Sequence, residues 1–230
     1  MKKIFTLLLS SVTFIVSHSQ IAAWNVYGQT SYGVQGYAPT TLNSNLTSVG
    51  LTRGSGVTTV NTAGSNLWGG NGFAWTTAQA AIDSSKFITF SITTSPNYYL
   101  SLTDFDSLRI RLSSTGPINI LVQYSMDATN FTNLKSYSLT KPTSTTSFAL
   151  DTISLSGRSD FQGITPNTTI TFRVVPFGAS STSGTFYFGN QQNVNHITIN
   201  GSVVAPLNLK SFAGSLSKNN LLLNWSTFNE

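Results

Sequence analysis

The residues that could do chemistry are few, and their spacing argues against most chemistries. Beyond residue 19 the carboxylates are Asp83, Asp104, Asp106, Asp127, Asp151, Asp160 and Glu230, and His196 is the single histidine. Glycoside hydrolysis needs two placed carboxylates flanking a bond, whereas most of these aspartates fall at turns or strand starts. A Ser-His-Asp relay has its residue types but no Gly-x-Ser-x-Gly elbow. With no cysteine and one histidine, zinc finds no ligand set. Asp104 and Asp106 alternate along a strand and so share a face, offering hard oxygens to calcium. Two carboxylates fall short of the roughly six to eight oxygens of a calcium shell, so they are weak metal candidates and read first as polar residues at a strand entry. His196 lies in Val194–Ile199, where Ile197 and Ile199 take one face and His196 and Thr198 the other, and is expected to be exposed on its strand. No glycine-rich phosphate loop occurs. A non-catalytic protein without a cofactor is the expectation.

Aromatic residues are the one enrichment suited to binding. Tyr27, Tyr32 and Tyr37 recur every five residues in a Gly/Gln-rich stretch, and Trp68, Phe73 and Trp75 flank Gly69, Gly70 and Gly72. An exposed ring can stack on the apolar face of a sugar, which lets a sandwich without a deep pocket hold polysaccharide. Tyr32, Tyr37, Trp68, Phe73 and Trp75 are therefore the candidate ligand contacts. Tryptophans of all-β domains commonly pack inward, so packing is the first expectation for Trp68 and Trp75. Tyr32 and Tyr37, in a turn-rich loop, are expected to be exposed.

The elements that must position these residues read as strands. From about Ile21 to Ala205, short alternating runs are bounded by Gly, Pro, Asn and Ser. Ile88, Phe90 and Ile92 point one way and Thr89, Ser91 and Thr93 the other. Leu108, Ile110 and Leu112 repeat the scheme with Arg109 and Arg111 outward, and Ile118 to Tyr124 turns through residues 125–130 into Phe131 as a hairpin. Further strands are expected at Ser147–Leu155, Thr168–Pro176, Thr185–Gly189 and Asn195–Val203. A helix of about two turns fits only Thr77–Asp83. The pattern predicts an all-β antiparallel sandwich of jelly-roll type over residues 20–205. Leu207–Phe212 and Leu221–Trp225 read as two further strands; as two strands alone cannot bury both faces, either they add to the main sandwich or they open a second, truncated unit over residues 206–230, and the second is the expectation.

Composition sets the compartment and excludes two partner classes. Ser, Thr and Asn make up 85 of 230 residues and there is no cysteine, so stability must come from a core rather than from disulfides. Met1-Lys2-Lys3, the apolar run Ile4–Val16 and the small residues Ser17 and Ser19 form a signal-peptide pattern over residues 1–19 with cleavage expected before Gln20. The protein is thus expected to be secreted or at the cell surface, without membrane insertion. The formal charge of +5 includes Lys2 and Lys3, and the remaining basic residues are too dispersed to track nucleic acid.

Pro206-Leu207-Asn208-Leu209, Asn220–Thr227 and Glu230 resemble the opening of the fibronectin type III-like module that precedes a type IX secretion sorting domain in Bacteroidetes secreted proteins. Ala22–Asn25, Gly50–Gly56, Trp68–Phe73 and Gln123–Asp127 with Asn130-Phe131 are similar to an N-terminal β-sandwich module of such multidomain proteins. The resemblance implies extracellular placement and a jelly-roll-like fold, and brings no catalytic residues. Ser125-x-Asp127-x-Thr129-x-Phe131 is similar to an Asp-box hairpin, whose aspartate caps its own turn. Asp106-Ser107-Leu108 and Asp151-Thr152-Ile153 resemble a bacterial O-glycosylation sequon. The expected function is a non-catalytic, secreted or surface binding module for glycan or another extracellular partner. The alternatives are a structural or adhesive spacer, or an accessory module of a hydrolase.

Overall fold

A computed structural model describes residues 19–59, 65–140, 147–206, 209–217 and 220–227. The leader expected over residues 1–19 lies, except for Ser19, outside the described residues. The chain runs β1 (Ser19–Trp24), β2 (Thr41–Leu42), β3 (Leu46–Arg53), β4 (Leu67–Asn71), α1 (Ala78–Asp83), β5 (Ile88–Thr94), β6 (Tyr99–Leu112), β7 (Asn119–Ser125) and β8 (Thr132–Ser138). It continues through β9 (Phe148–Ala149), β10 (Ile153–Ser154), a 3-10 turn (Ser159–Phe161), β11 (Thr169–Phe177), β12 (Thr185–Gly189), β13 (Ile197–Val204), β14 (Leu209–Ser217) and β15 (Asn220–Thr227). Among the described residues no helix is long and apolar enough to cross a membrane.

The protein is an all-β antiparallel sandwich. One sheet runs β2-β1-β13-β6-β12-β4, with β9 and β10 also paired to β6; the other runs β3-β5-β11-β7-β8. Stripped of its added edge strands, the first sheet is β1-β13-β6-β9/β10 and the second β5-β11-β7-β8. In chain order these strands pass from sheet to sheet as an eight-stranded jelly roll does.

Alternation explains β5, where Ile88, Phe90 and Ile92 are buried. Strand β6 departs from it, burying Leu100, Leu102, Phe105, Leu108, Ile110 and Leu112. Two register shifts against β13, around Thr103 and at Asp106, reset the phase. Asp104 and Asp106 therefore lie within a long strand rather than at its entry. The expected strand Ser147–Leu155 is split into β10, which pairs with Asp104 and Phe105 between the two shifts, and β9, which pairs with Arg109 and Ile110 beyond them.

The core forms where the two inner faces meet. Phe172 lies 5.5 Å from Phe90 and 4.6 Å, edge to face, from Phe105 of the opposite sheet, and Trp24 is 5.0 Å from Phe90. Each such ring contributes about 1.5–3 kcal/mol by burial, plus about 0.5–1.5 kcal/mol for a favourable aromatic pair. Outside the second sheet, the Thr77 hydroxyl caps α1 by accepting from Ala80 N at 3.2 Å, and Ala81 packs beside Leu121 and Val175. The two strands expected after Pro206 form the hairpin β14–β15, a separate two-stranded sheet. Phe212, Leu221, Leu222 and Leu223 are exposed on it, and three successive leucines necessarily use both faces.

Candidate functional site

The aromatic candidates separate into a buried set and an exposed one. Trp68, on β4, is 0% exposed; its indole Nε1 donates to the Val34 carbonyl at 2.7 Å. Phe73 is fully buried with its ring 6.0 Å from Phe186. Tyr32, expected to be exposed, is only 4% exposed and packs with Leu67 and Tyr187, whose ring centroid is 5.6 Å away. Tyr37, also expected outside, is half-buried and donates its hydroxyl to the Asn25 carbonyl at 2.8 Å. Burial holds the Tyr37 phenol above its ordinary pKa. Tyr27 alone of the three loop tyrosines remains exposed.

Arg53 is the reason this loop folds inward. Its guanidinium donates to the carbonyls of Tyr32, Gly33 (2.9 Å) and Gly69 (2.6 Å) and to Gln35 Oε1 (3.2 Å), while stacking 4.1 Å over Trp68. Burial without a carboxylate partner pushes its pKa down to about 10, so it stays charged at neutral pH. Gly33, at φ +79°, lies so close to the Trp68 indole that a Cβ there would collide with it. Sequence reasoning missed Arg53, and the glycines around Trp68 were the available signal, since they mark close backbone approach.

Trp75 is the exception among the candidates: expected to pack, it is 39% exposed. Its backbone is anchored, because Gly178 N donates to Trp75 O at 2.7 Å and Ala179 N to Phe73 O at 3.1 Å. With Phe73 buried, the next residue but one is held at the surface by its neighbours. There it borders an open cleft of about 500 Å³. Asn71 and Gly72 from the end of β4, Ala74, Thr58, Lys86, and Thr182 and Ser183 from the loop before β12 line the rest. Thr58 and Asn71 are joined as a backbone bridge and through a Thr58 hydroxyl to Asn71 carboxamide hydrogen bond. Lys86 Nζ donates to the Gly56 carbonyl. Hydroxyls, a buried carboxamide, an ammonium and an exposed indole suit a polar ligand with an apolar face.

The remaining candidates have structural surroundings. Asp127 accepts from the Ser125 hydroxyl (2.8 Å), Thr129 N (2.9 Å), Asn130 N (2.7 Å) and Asn130 Nδ2 (2.7 Å), which hold its carboxyl well below the usual range. It caps its own turn, as the Asp-box resemblance implies. A cleft of about 360 Å³ beside it also includes Asp160, whose carboxylate accepts from the Tyr124 hydroxyl. Asp104 accepts from Asn200 Nδ2 at 2.9 Å, and Asp106 is exposed at its bulge. Among the described residues no group of three or more His, Cys, Asp or Glu side chains could hold a metal ion.

His196 corrects the expectation of an exposed strand residue: it is 0% exposed, just before β13. The segment after β1 crosses it, and Val26 N donates to Nδ1 at 3.2 Å. That places the neutral ring's proton on Nε2, which is buried without a hydrogen-bond partner. Burial, aided by the nearby Arg109 charge, pushes its pKa down to about 4, against a weak opposing pull from the Gln191 backbone. Neither ring nitrogen bonds a serine or an aspartate.

Comparison with protein-family models returned no match, and comparisons with curated proteins and with solved structures returned none either.

Proposed function

We propose that the protein is a non-catalytic binding module that holds glycan in the cleft at Trp75. The observation that carries this reading is one half-exposed tryptophan at the rim of a 500 Å³ cleft that also brings hydroxyl, carboxamide and ammonium groups together beside Gly72 and Ala74. A sugar ring presents C–H bonds on its face and hydroxyls around its edge, so it matches an indole wall and a polar floor. The signal-peptide pattern at residues 1–19 and the resemblance of residues 206–230 support a secreted or cell-surface setting of the type IX kind.

Affinity electrophoresis of the full chain against a panel of soluble polysaccharides tests the reading. Retardation by at least one polymer is expected, abolished in Trp75→Ala and retained in Tyr37→Phe. No retardation on a broad panel would overturn it in favour of the second reading, a structural or adhesive spacer. That alternative draws on a different observation, the apolar residues left exposed on both faces of β14–β15, which is how a sheet awaiting a covering layer looks.

A further inference from the structure

We infer that the ligand of the Trp75 cleft is an anionic glycan, whose carboxylate or sulfate group is received by Lys86. The inference rests on the glycan reading above and adds the charge class of the sugar.

Among the described residues Lys86 is the only charged one lining the cleft, and no aspartate or glutamate lines it. An ammonium carries three donors, and the Gly56 carbonyl takes one. No carboxylate lies within 4.0 Å of it among the described residues, where the one ion pair is Lys135 with Asp151. The charge thus has no ion-pair partner among the described residues, at a half-buried position where solvent screens it less than at a free surface.

Gly72 sits directly beside that charge: a Cβ at this position would lie 2.6 Å from Lys86 Nζ, the flexible end of the side chain. The backbone there also has φ +96°, a conformation that favours glycine. Two other clefts lack this arrangement: one is lined by Asp127 and Asp160, the other by Lys135 together with Asp151. One cation without a lining carboxylate, among hydroxyls that both donate and accept, matches a polar ligand that brings its own negative charge. A neutral sugar can accept the ammonium's hydrogen bonds but brings no charge to balance it.

Titration calorimetry with the full chain tests this on two matched pairs: oligogalacturonate against its fully methyl-esterified form, and dextran sulfate against dextran. Within each pair the backbone is constant and only the charge changes, so the first pair reports carboxylate and the second sulfate. The expected result is about tenfold or tighter binding of the charged member in at least one pair, weakening as sodium chloride rises. Lys86→Met should abolish the preference and Lys86→Arg should retain it, with melting temperatures recorded for both. Equal binding of charged and neutral members, lost in Trp75→Ala, would overturn the anionic inference and leave the glycan reading standing. A charge preference that survives in folded Lys86→Met would also overturn it, assigning the effect to the chain's diffuse positive charge. Absence of binding to every polymer would overturn both readings. Should Lys86→Met not fold, Lys86→Gln takes its place, and equal wild-type binding within both pairs overturns the inference without any variant.

Discussion

The loop from Tyr32 to Tyr37 and the segment from Gly72 to Trp75 both set aromatic rings among glycines, yet the first is folded down onto Trp68 and the second lifts Trp75 to the surface. The difference lies in what the backbone carbonyls find. Those of Tyr32 and Gly33 meet the Arg53 guanidinium, which also spans the Trp68 ring, so the loop becomes a cover. Those of Phe73 and Trp75 meet the amides of Ala179 and Gly178, which fix the main chain and leave the indole outside. Aromatic content identifies neither a core nor a binding face; the groups available to the adjacent backbone decide.

The largest blow to this contrast is removal of the ring on which the cover rests. Trp68→Ala should destabilise the protein by about 3–5 kcal/mol, read from urea unfolding at neutral pH. Loss of less than 1 kcal/mol would mean that the cover does not depend on Trp68.

Acid should strike the covered side next. His196 is uncharged in the fold with a pKa pushed down to about 4, against an unfolded value of about 6.5. Its folded-state pKa is depressed, so between these values the unfolded chain binds the proton and the native chain does not. Stability therefore falls as pH drops from about 6.5 to about 4, by up to about 3 kcal/mol, and is unaffected by this group above that window. Protonation of Nδ1 would also expel the Val26 amide that it accepts. Melting temperatures across the window should show the slope in the wild type and a shallower one in His196→Gln; equal slopes would clear His196 of the effect.

Arg53→Met keeps the aliphatic stem over Trp68 while withdrawing four donors. The stranded carbonyls should cost about 2 kcal/mol and speed hydrogen exchange at Gly33 and Gly69, whose amides bond within the cover. Exchange unchanged at both would mean that the loop holds itself down. The smallest expected stability effect is that of Trp75→Ala, within about 0.5 kcal/mol of the wild type, together with complete loss of glycan retardation. A large loss of stability there would make Trp75 a packing residue after all.

Periodicity made most of the strands legible. Ile88, Phe90 and Ile92 bury as their alternation predicts, β12 spans Thr185–Gly189 as expected, and the hairpin turn at Asp127 forms where its turn residues stand. Alternation failed where the main chain breaks its own period. Two bulges in β6 bring Leu102, Phe105 and Leu108 to one side at intervals of three, so Asp104 and Asp106 looked like a strand entry. Strand β4, Leu67–Asn71, carries two glycines and has little strand propensity. Its fully buried pattern follows from its place at the edge of the sheet beside β12, beneath the Arg53 cover.

The candidate site was half legible. Trp75 stood among the aromatic candidates, but on the wrong expectation of burial, and Tyr32 and Tyr37 on the wrong expectation of exposure. Thr58, Lys86, Thr182 and Ser183 carry no local signal, because they come from three separate stretches of chain and acquire a common role only by meeting around the end of β4. His196 was misread for a related reason: strand alternation assigns two faces to a sheet but does not say what crosses the outer one.

The sequence by itself determined the all-β class, the position of most strands and the absence of a disulfide framework, because those follow from residue type and a two-residue period, both local quantities. Only the tertiary structure decided which aromatic rings are covered, that His196 is buried and that Lys86 and the exposed Trp75 line one cleft. Those outcomes depend on hydrogen bonds and close approaches between segments far apart in the chain, such as Arg53 to Tyr32 and Val26 to His196.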